Sequence, residues 1–257
     1  MEPGVLAERN GAVAVLTINN PKQRNALAAP VKQALIGALQ AAMADEGCRA
    51  ILLTGAEGSF CAGGDVSRFG TMTPLAGRQV VHDQRDFLRL MIRGEKPIVA
   101  AVEGFAYGAG FGVAMACDHV VAARDAKFCA AFNRIGLMPD GGLLWTLPQR
   151  VGAGRAREML MLATVVTGEE GKRIGLVDAL AEPGRAFEAA MAKAEAFAAA
   201  APLSVAMTKA AFARWPMRLE ELLAAEAEGQ AILFSTEDCK NAVRAFLRKE
   251  KPEFAGR

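Results

Sequence analysis

Residues 98–117, IVAAVEGFAYGAGFGVAMAC, decide the fold of this chain. The stretch begins with an apolar run at 98–102, which is typical of a buried strand. Four glycines between residues 104 and 112 then break the apolar run and favour a turn. Twenty mostly apolar residues are long enough to cross a bilayer, but Glu103 and these glycines argue against a membrane span. We therefore predict a buried strand that enters a buried helix at 110–116 through a glycine-rich turn.

The same alternation of strands and helices extends on both sides of this stretch. Predicted strands are 5–9 and 12–18, which flank the turn dipeptide Asn10-Gly11, and then 51–53 and 119–123. Predicted helices are 31–43, 80–93, 186–201, 205–213, 219–233 and 238–249, and from about Gly154 onward the pattern is helical. The alternation indicates an α/β fold with a mostly parallel sheet, whose ligand sites lie in loops at strand ends. We place the core at 1–195 and a helical region at 196–257.

Composition excludes several classes of function. A formal charge of +2, from 30 basic and 28 acidic residues, gives no cationic field for nucleic acid. The five cysteines form no CxxC pair, so the sequence suggests neither a zinc site nor a disulfide framework and favours a cytoplasmic setting. Two histidines give little material for a nucleophilic triad. Neither a phosphate-binding GxxxxGK[ST] loop nor a GxGxxG dinucleotide motif follows a predicted strand.

Three loops contain the residues most suited to catalysis. Loops 59–65 (SFCAGGD) and 104–110 (GFAYGAG) each follow a predicted buried strand, and small residues there let backbone N–H groups approach a ligand. The alternative interpretation is that each loop is only a tight connection, with no catalytic role. The third, 136–142 (GLMPDGG), contains one carboxylate, Asp140, in an apolar setting. Asp140 either bonds within its own turn or, with a pKa raised by desolvation, transfers protons.

Several motifs in the same order as in a known family strengthen the catalytic interpretation. They are NNPKQRNAL at 19–27, FCAGGD at 60–65, KPIVAAVEG at 96–104, GAG at 108–110 and ACD at 116–118. Over nearly its whole length the chain resembles the enoyl-CoA hydratase/isomerase, or crotonase, superfamily. The resemblance implies a spiral of ββα units with a C-terminal helical trimerisation region, assembled as a homotrimer or as a homohexamer. It also implies an acyl-CoA substrate, with no metal and no cofactor apart from the coenzyme A of the substrate, and no membrane partner.

The resemblance also assigns roles to residues. The backbone N–H groups of Gly64 and Ala109 correspond to the oxyanion hole, and each such donor contributes roughly 3 to 4 kcal/mol to stabilising an enolate oxygen. Phe132 and Leu143 are expected to line the acyl pocket. The positions that correspond to coenzyme A contacts are Lys22, Arg24, Ala62, Asp65, Val66, Phe246 and Lys249. For Arg24 and Lys249 a solvated surface charge is an equal alternative.

The chain departs from the family's hydratases at both catalytic glutamates. Gly112 and Phe132 stand where those enzymes carry the two carboxylates, and Asp140 stands where certain isomerases similar to 1,2-epoxyphenylacetyl-CoA isomerase carry an aspartate. Hydration needs a base for water and an acid for Cα, whereas one carboxylate suffices to move a double bond. We therefore expect an isomerase with Asp140 as proton shuttle. The alternatives are a hydratase, a dehalogenase with Asp140 as nucleophile, and a non-catalytic acyl-CoA-binding protein.

Overall fold

The computed structural model describes residues 2–257, apart from the side chain of Arg68. The strands are β1 Gly4–Asn10, β2 Val13–Asn19, β3 Ala50–Gly55, β4 Ile98–Val102, β5 Phe105–Tyr107, β6 His119–Ala123, β7 Lys127–Cys129, β8 Val166–Thr167 and β9 Ala179–Ala181. The α-helices are α1 Ala29–Ala44, α2 Pro74–Arg93, α3 Ala109–Met115, α4 Leu143–Val151, α5 Ala153–Leu162, α6 Gly168–Ile174, α7 Ala186–Ala198, α8 Pro202–Phe212, α9 Leu219–Ser235 and α10 Glu237–Leu247. Short 3-10 helices cover Pro21–Gln23, Val66–Thr71 and Ala131–Ile135.

Two sheets organise the core. The larger has the order β1-β2-β3-β4-β6-β9, with β1 and β2 antiparallel and the other neighbours parallel. The smaller has the order β5-β7-β8. Alternate residues of the larger sheet point to opposite faces, so Ile51 and Leu53 pack in the cluster with α1 while Leu52 packs in the cluster with α7. Both faces are buried, which confirms the predicted α/β class with a mostly parallel sheet.

Some predicted elements need correction. Helix α2 begins at Pro74 rather than at residue 80, because Thr73 Oγ1 accepts the Ala76 N–H at 3.3 Å and proline suits the first helical turn. Strand β5 occupies part of the predicted glycine-rich loop. Strands β8 and β9 lie in a region predicted to be helical. These strands have two or three residues each, so pairing with distant segments stabilises them and no local periodicity marks them.

The last three helices extend from the sheet core. Helix α7 packs on the larger sheet, and the predicted limit between residues 195 and 196 falls within it. Helix α8 contacts α2 and α9, and α9 contacts α10. Many large apolar side chains are exposed on or near these helices, among them Phe212, Trp215, Leu219, Ile232, Phe234, Phe246 and Leu247. The division into a core and a helical region stays a prediction.

Candidate active site

The two glycine-rich segments run side by side. The Cys61 N–H donates to the Phe105 carbonyl at 2.8 Å, and the Tyr107 N–H donates to the Cys61 carbonyl at 2.9 Å. Gly63 has a φ of +106°, and a side chain there would begin 2.8 Å from the Tyr107 carbonyl oxygen and 3.6 Å from the Ala109 nitrogen. Glycine, which has no Cβ, is therefore needed at this position. Because residue 63 is glycine, the first loop packs against the N-terminus of α3.

Two backbone N–H groups beside this contact have no acceptor among the residues that the structure describes. Ala109 is the first residue of α3, where an N–H has no partner inside the helix. Gly64 follows Gly63, whose carbonyl accepts the Leu27 N–H at 2.7 Å. Within residues 2–257, neither the Gly64 nor the Ala109 N–H donates to a backbone carbonyl. The structure thus places the two predicted oxyanion donors on adjacent loops with their hydrogen-bonding capacity unused.

The turn that carries Asp140 packs on the same helix. A methyl group at Gly112 would lie 2.6 Å from the Gly141 carbonyl oxygen, and one at Gly141 would lie 3.8 Å from the Ala109 Cα. Gly141 has a φ of +63°, which glycine adopts without strain. The backbone contact places Gly141, the residue after Asp140, next to Ala109. It also closes position 112 to any side chain.

Asp140 is partly buried and incompletely satisfied. Its Oδ1 has no hydrogen-bond partner among the described residues. Burial raises the pKa of the Asp140 carboxyl above its ordinary value, and the positive charge of Lys32 opposes the rise. In the same way, burial lowers the pKa of Lys32, while Asp140 and Asp83 oppose that change. Lys32 was missed from the sequence, because it occupies an ordinary polar position of an amphipathic helix.

The predicted coenzyme A contacts near the first hairpin are exposed and close to the first loop. Arg24 accepts the Ala62 N–H through its carbonyl at 2.9 Å. Its guanidinium lies 5.7 Å from the ring centre of Phe105, and Lys127 Nζ lies 5.9 Å from that ring. Lys22 is exposed in the preceding 3-10 helix. Lys127 and Phe105 were not predicted as site residues. They add a cation and an aromatic ring to the surface formed by Lys22 and Arg24.

The other predicted contacts occupy different settings. Asp65 Oδ1 accepts the Ser67 N–H at 3.1 Å and so caps the 3-10 helix in which Val66 is exposed. Phe132 is buried, with its ring near Gly108. Leu143 is fully buried in the main core, so it has no surface to present to a ligand in this structure. Phe246 is 81% exposed on α10.

Lys249, the other predicted C-terminal contact, lies exposed just after α10. The principal packing partner of α10 is α9. The proposed contacts of Phe246 and Lys249 with coenzyme A stay predictions.

A separate cavity of about 600 Å³ lies between the C-terminal end of α3, α4 and α8. Its wall includes the ion pair between Lys209 and Asp118, with Nζ and Oδ2 2.6 Å apart. None of the three loops with the oxyanion donors and Asp140 lines it. Within residues 2–257, no group of three or more His, Cys, Asp and Glu residues is placed to hold a metal. The described helices include none long and apolar enough to cross a membrane.

A family model described as enoyl-CoA hydratase/isomerase matches residues 8–257. The chain belongs to the enoyl-CoA hydratase/isomerase family. This membership confirms the resemblance drawn from the motifs, and the roles that the resemblance gives to residues of the three loops stay predictions.

Solved structures support the same fold. An enoyl-CoA hydratase from Polaromonas superposes with a TM-score of 0.94 at 32% identity, over 98% of this chain and 99% of that one. The spiral crotonase fold is therefore shown.

The names of relatives in the family indicate different activities. A short-chain-enoyl-CoA hydratase of Clostridium acetobutylicum is 36% identical over 252 residues, which are 97% of this chain and 96% of that protein. A 1,2-epoxyphenylacetyl-CoA isomerase of Escherichia coli is 30% identical over 258 residues, which are 98% of each. Family membership thus leaves open the choice between hydratase and isomerase.

Proposed function

We propose that this protein is an acyl-CoA isomerase that shifts a carbon–carbon double bond next to a thioester, with Asp140 as the proton shuttle. The observation that carries the proposal is the backbone contact between Gly112 and Gly141. It leaves no room for a glutamate side chain at 112, and it holds the turn with the partly buried Asp140 against α3. We further propose that Gly64 and Ala109 donate to the thioester oxygen.

The proposed reaction needs only these groups. The Asp140 carboxylate removes a proton from Cα of a 3-enoyl thioester, and the electrons of the C–H bond delocalise onto the carbonyl oxygen. The two N–H donors stabilise that enolate, each contributing roughly 3 to 4 kcal/mol. The protonated Asp140 then returns the proton to Cγ, the C=O bond re-forms, and the double bond now lies between Cα and Cβ. No cofactor enters the balance.

Hydration is the second candidate, and the names of several relatives favour it. Enoyl-CoA hydratases occur among proteins 36% and 38% identical to this chain. Adding water, however, needs one group to activate the water and another to protonate Cα. The positions of the family's two glutamates hold Gly112 and Phe132, and Phe132 is buried near Gly108. Isomerisation therefore fits these residues better.

The proposal for coenzyme A binding rests on exposed cationic residues. We propose that Lys22 and Arg24 bind coenzyme A phosphates, because lysine and arginine pair well with phosphate oxygens and both residues are exposed beside Ala62.

We also propose that the apolar surface of α8–α10 is buried in a homotrimer or in a dimer of trimers. Contiguous exposed apolar surface of this kind marks protein interfaces. Light scattering after size exclusion measures the number of subunits.

The test compares three substrates in deuterated water: a 3-enoyl-CoA, a 2-enoyl-CoA and 1,2-epoxyphenylacetyl-CoA. An isomerase converts the 3-enoyl-CoA or the epoxide and exchanges α-protons, and the Asp140→Asn variant loses both activities. Asp125→Asn, a change at an exposed aspartate, is the matched control and keeps them. Faster formation of 3-hydroxyacyl-CoA from the 2-enoyl substrate would establish the hydratase instead. Thermal stabilisation by acyl-CoA without proton exchange would indicate a non-catalytic binding protein.

A further inference from the structure

Residues 20–26, the cation loop, contain the two residues proposed to bind coenzyme A phosphates. Main-chain hydrogen bonds join this loop to the first glycine-rich loop. The Ala62 N–H donates to the Arg24 carbonyl at 2.9 Å. Just after the cation loop, the Leu27 N–H donates to the Gly63 carbonyl at 2.7 Å. The proposed phosphate-binding segment therefore lies directly against the loop that carries the first proposed oxyanion donor.

The side chain of Asn25 adds a second connection between these segments. Asn25 is fully buried, and its Oδ1 accepts the Asn20 N–H at 2.9 Å. Its Nδ2 donates to the Ala56 carbonyl at 2.8 Å and to the Ser59 carbonyl at 2.6 Å. One carboxamide thus bonds the start of the cation loop to the segment that leads into the first loop. Both of its N–H donors are used, so the buried group is well satisfied.

The backbone at this position also favours asparagine. Arg24 has a φ of +49° and Asn25 has a φ of +59°, both in the left-handed region. Asparagine tolerates that region better than most residues with a side chain. The Asn25 N–H donates to the Asn20 carbonyl at 2.8 Å, which closes the turn. Main chain and side chain together therefore fix the place of Arg24.

The first loop has other anchors that do not involve the cation loop. The Phe60 N–H donates to the Glu103 carbonyl at 2.9 Å. The Cys61 N–H donates to the Phe105 carbonyl at 2.8 Å. These bonds hold the first loop beside the second without help from Asn25. What the carboxamide determines is the position of the cation loop relative to both.

We propose that Asn25 is a positioning residue that holds the cation loop in register with the oxyanion donors. Binding of the coenzyme A phosphates then places the thioester oxygen at the Gly64 and Ala109 N–H groups. This inference rests on the proposed function and deepens it. Asn25 touches no reacting atom. Its effect is on the share of catalysis that the nucleotide end of the substrate contributes, because binding energy remote from the reacting carbons can orient them.

The test removes that nucleotide end from the substrate. A 3-enoyl-pantetheine thioester keeps the reacting carbons and the carbonyl but has no phosphate. Asn25→Gly removes the carboxamide and keeps the left-handed backbone without strain. We expect this variant to lower kcat/KM about thirtyfold for 3-enoyl-CoA and no more than about threefold for the pantetheine thioester.

Two further variants sharpen the measurement. Asn25→Asp keeps the shape of the side chain and the acceptor for Asn20 but loses the donor, so it should give the same selective loss. Asn25→Gly added to Arg24→Ala should cost little more with 3-enoyl-CoA than Arg24→Ala alone, because both changes act through the cation loop.

Ile98→Val is the control for a loss of stability alone. It removes part of a fully buried side chain at the end of β4 opposite to the glycine-rich loop. It should lower the melting temperature and leave the ratio of the two kcat/KM values unchanged. Thermal melting establishes that each variant is folded, and Asn25→Asp decides the matter where Asn25→Gly fails to fold.

An equal loss for both thioesters in a folded variant at position 25, or no loss for either, would overturn the inference. Additive losses in the double variant would do the same. The comparison of thioesters is separate from the test of the proposed function. If the wild type hydrates 2-enoyl-CoA instead of isomerising 3-enoyl-CoA, the same ratio measured with 2-enoyl thioesters decides the role of Asn25.

Discussion

The carboxylates at the two ends of α3 have different surroundings. At the C-terminal end, Asp118 Oδ2 accepts the Ile98 N–H at 2.8 Å and the Lys209 ammonium at 2.6 Å. Near the N-terminal end, the Oδ1 of Asp140 has no hydrogen-bond partner in the described part of the chain. Burial raises the pKa of both groups, and in each case a nearby lysine opposes the rise. The two sites thus share a charge pattern and differ in hydrogen bonding.

This difference separates a structural carboxylate from the one that we propose to be reactive. Hydrogen bonds and an ion pair offset the cost of burying Asp118, which joins β4 to α8. At Asp140, no hydrogen bond to Oδ1 from residues 2–257 offsets that cost, so an acceptor stays available for a proton. An unsatisfied buried group is thus a better indication of chemistry here than a shifted pKa alone.

The largest expected difference between the two carboxylates is in catalysis, and it is tested by removing the charge of Asp140. Asp140→Asn is expected to lower kcat/KM by about a thousandfold, because it removes the proposed base and leaves the shape of the side chain nearly unchanged. Steady-state kinetics on the active substrate measures this, and thermal melting should show a small change. An unchanged kcat/KM would show that Asp140 is not the base and would leave it, like Asp118, a structural carboxylate.

Lys209→Met is expected to affect stability rather than chemistry. It leaves Asp118 buried without its counter-charge, which costs about 3 kcal/mol in the free energy of unfolding. Urea denaturation measures the loss, with Lys193→Met, at an exposed lysine of α7, as control. If the two variants unfold at the same urea concentration, the Lys209–Asp118 pair is not structural.

The contact between Gly112 and Gly141 is tested by Gly112→Ala. The added methyl group meets backbone 2.6 Å away, so the turn of residues 139–142 must move, at a cost of about 2 kcal/mol in stability and a loss of activity. Gly154→Ala is the control, since nothing lies within 4 Å of a Cβ at that position. Full activity of Gly112→Ala would show that the turn does not position Asp140.

The smallest expected effect is the pH dependence of the wild type. Because burial raises the pKa of Asp140, its carboxylate is lost at a higher pH than that of an exposed aspartate. Below that pKa, kcat/KM should fall about tenfold per pH unit. Lys209→Met should follow the same acidic limb, because Lys209 acts on Asp118. A shifted limb in Lys209→Met would mean that the two ends of α3 are coupled.

Much of this arrangement could be predicted from the sequence. The apolar run at Ile98–Val102 and the glycines after it marked a buried strand and a close backbone approach. The PDGG turn marked Asp140 as a lone carboxylate among apolar residues. These features are local, since strand burial, turn chemistry and small residues act within a few positions of one another.

Features that depend on distant segments could not be predicted in this way. Strand β5 forms because Phe105–Tyr107 pairs with Lys127–Cys129, and three residues carry no periodic signal. Lys32 resembles any polar residue on a helix until the fold brings it near Asp140. Leu143 is ambiguous for a related reason, because in sequence an apolar residue beside the turn fits a ligand pocket and a core equally well.

The proposed main-chain donors would be invisible to alanine scanning. Position 109 is already alanine, and at Gly64 a new methyl group would meet only the end of the Phe69 ring, at 3.3 Å. Deleting a side chain removes neither N–H group. If the proposed roles hold, a mutational survey of this protein would assign catalysis to Asp140 alone, and replacing single amides by ester linkages would be required to reveal the two donors.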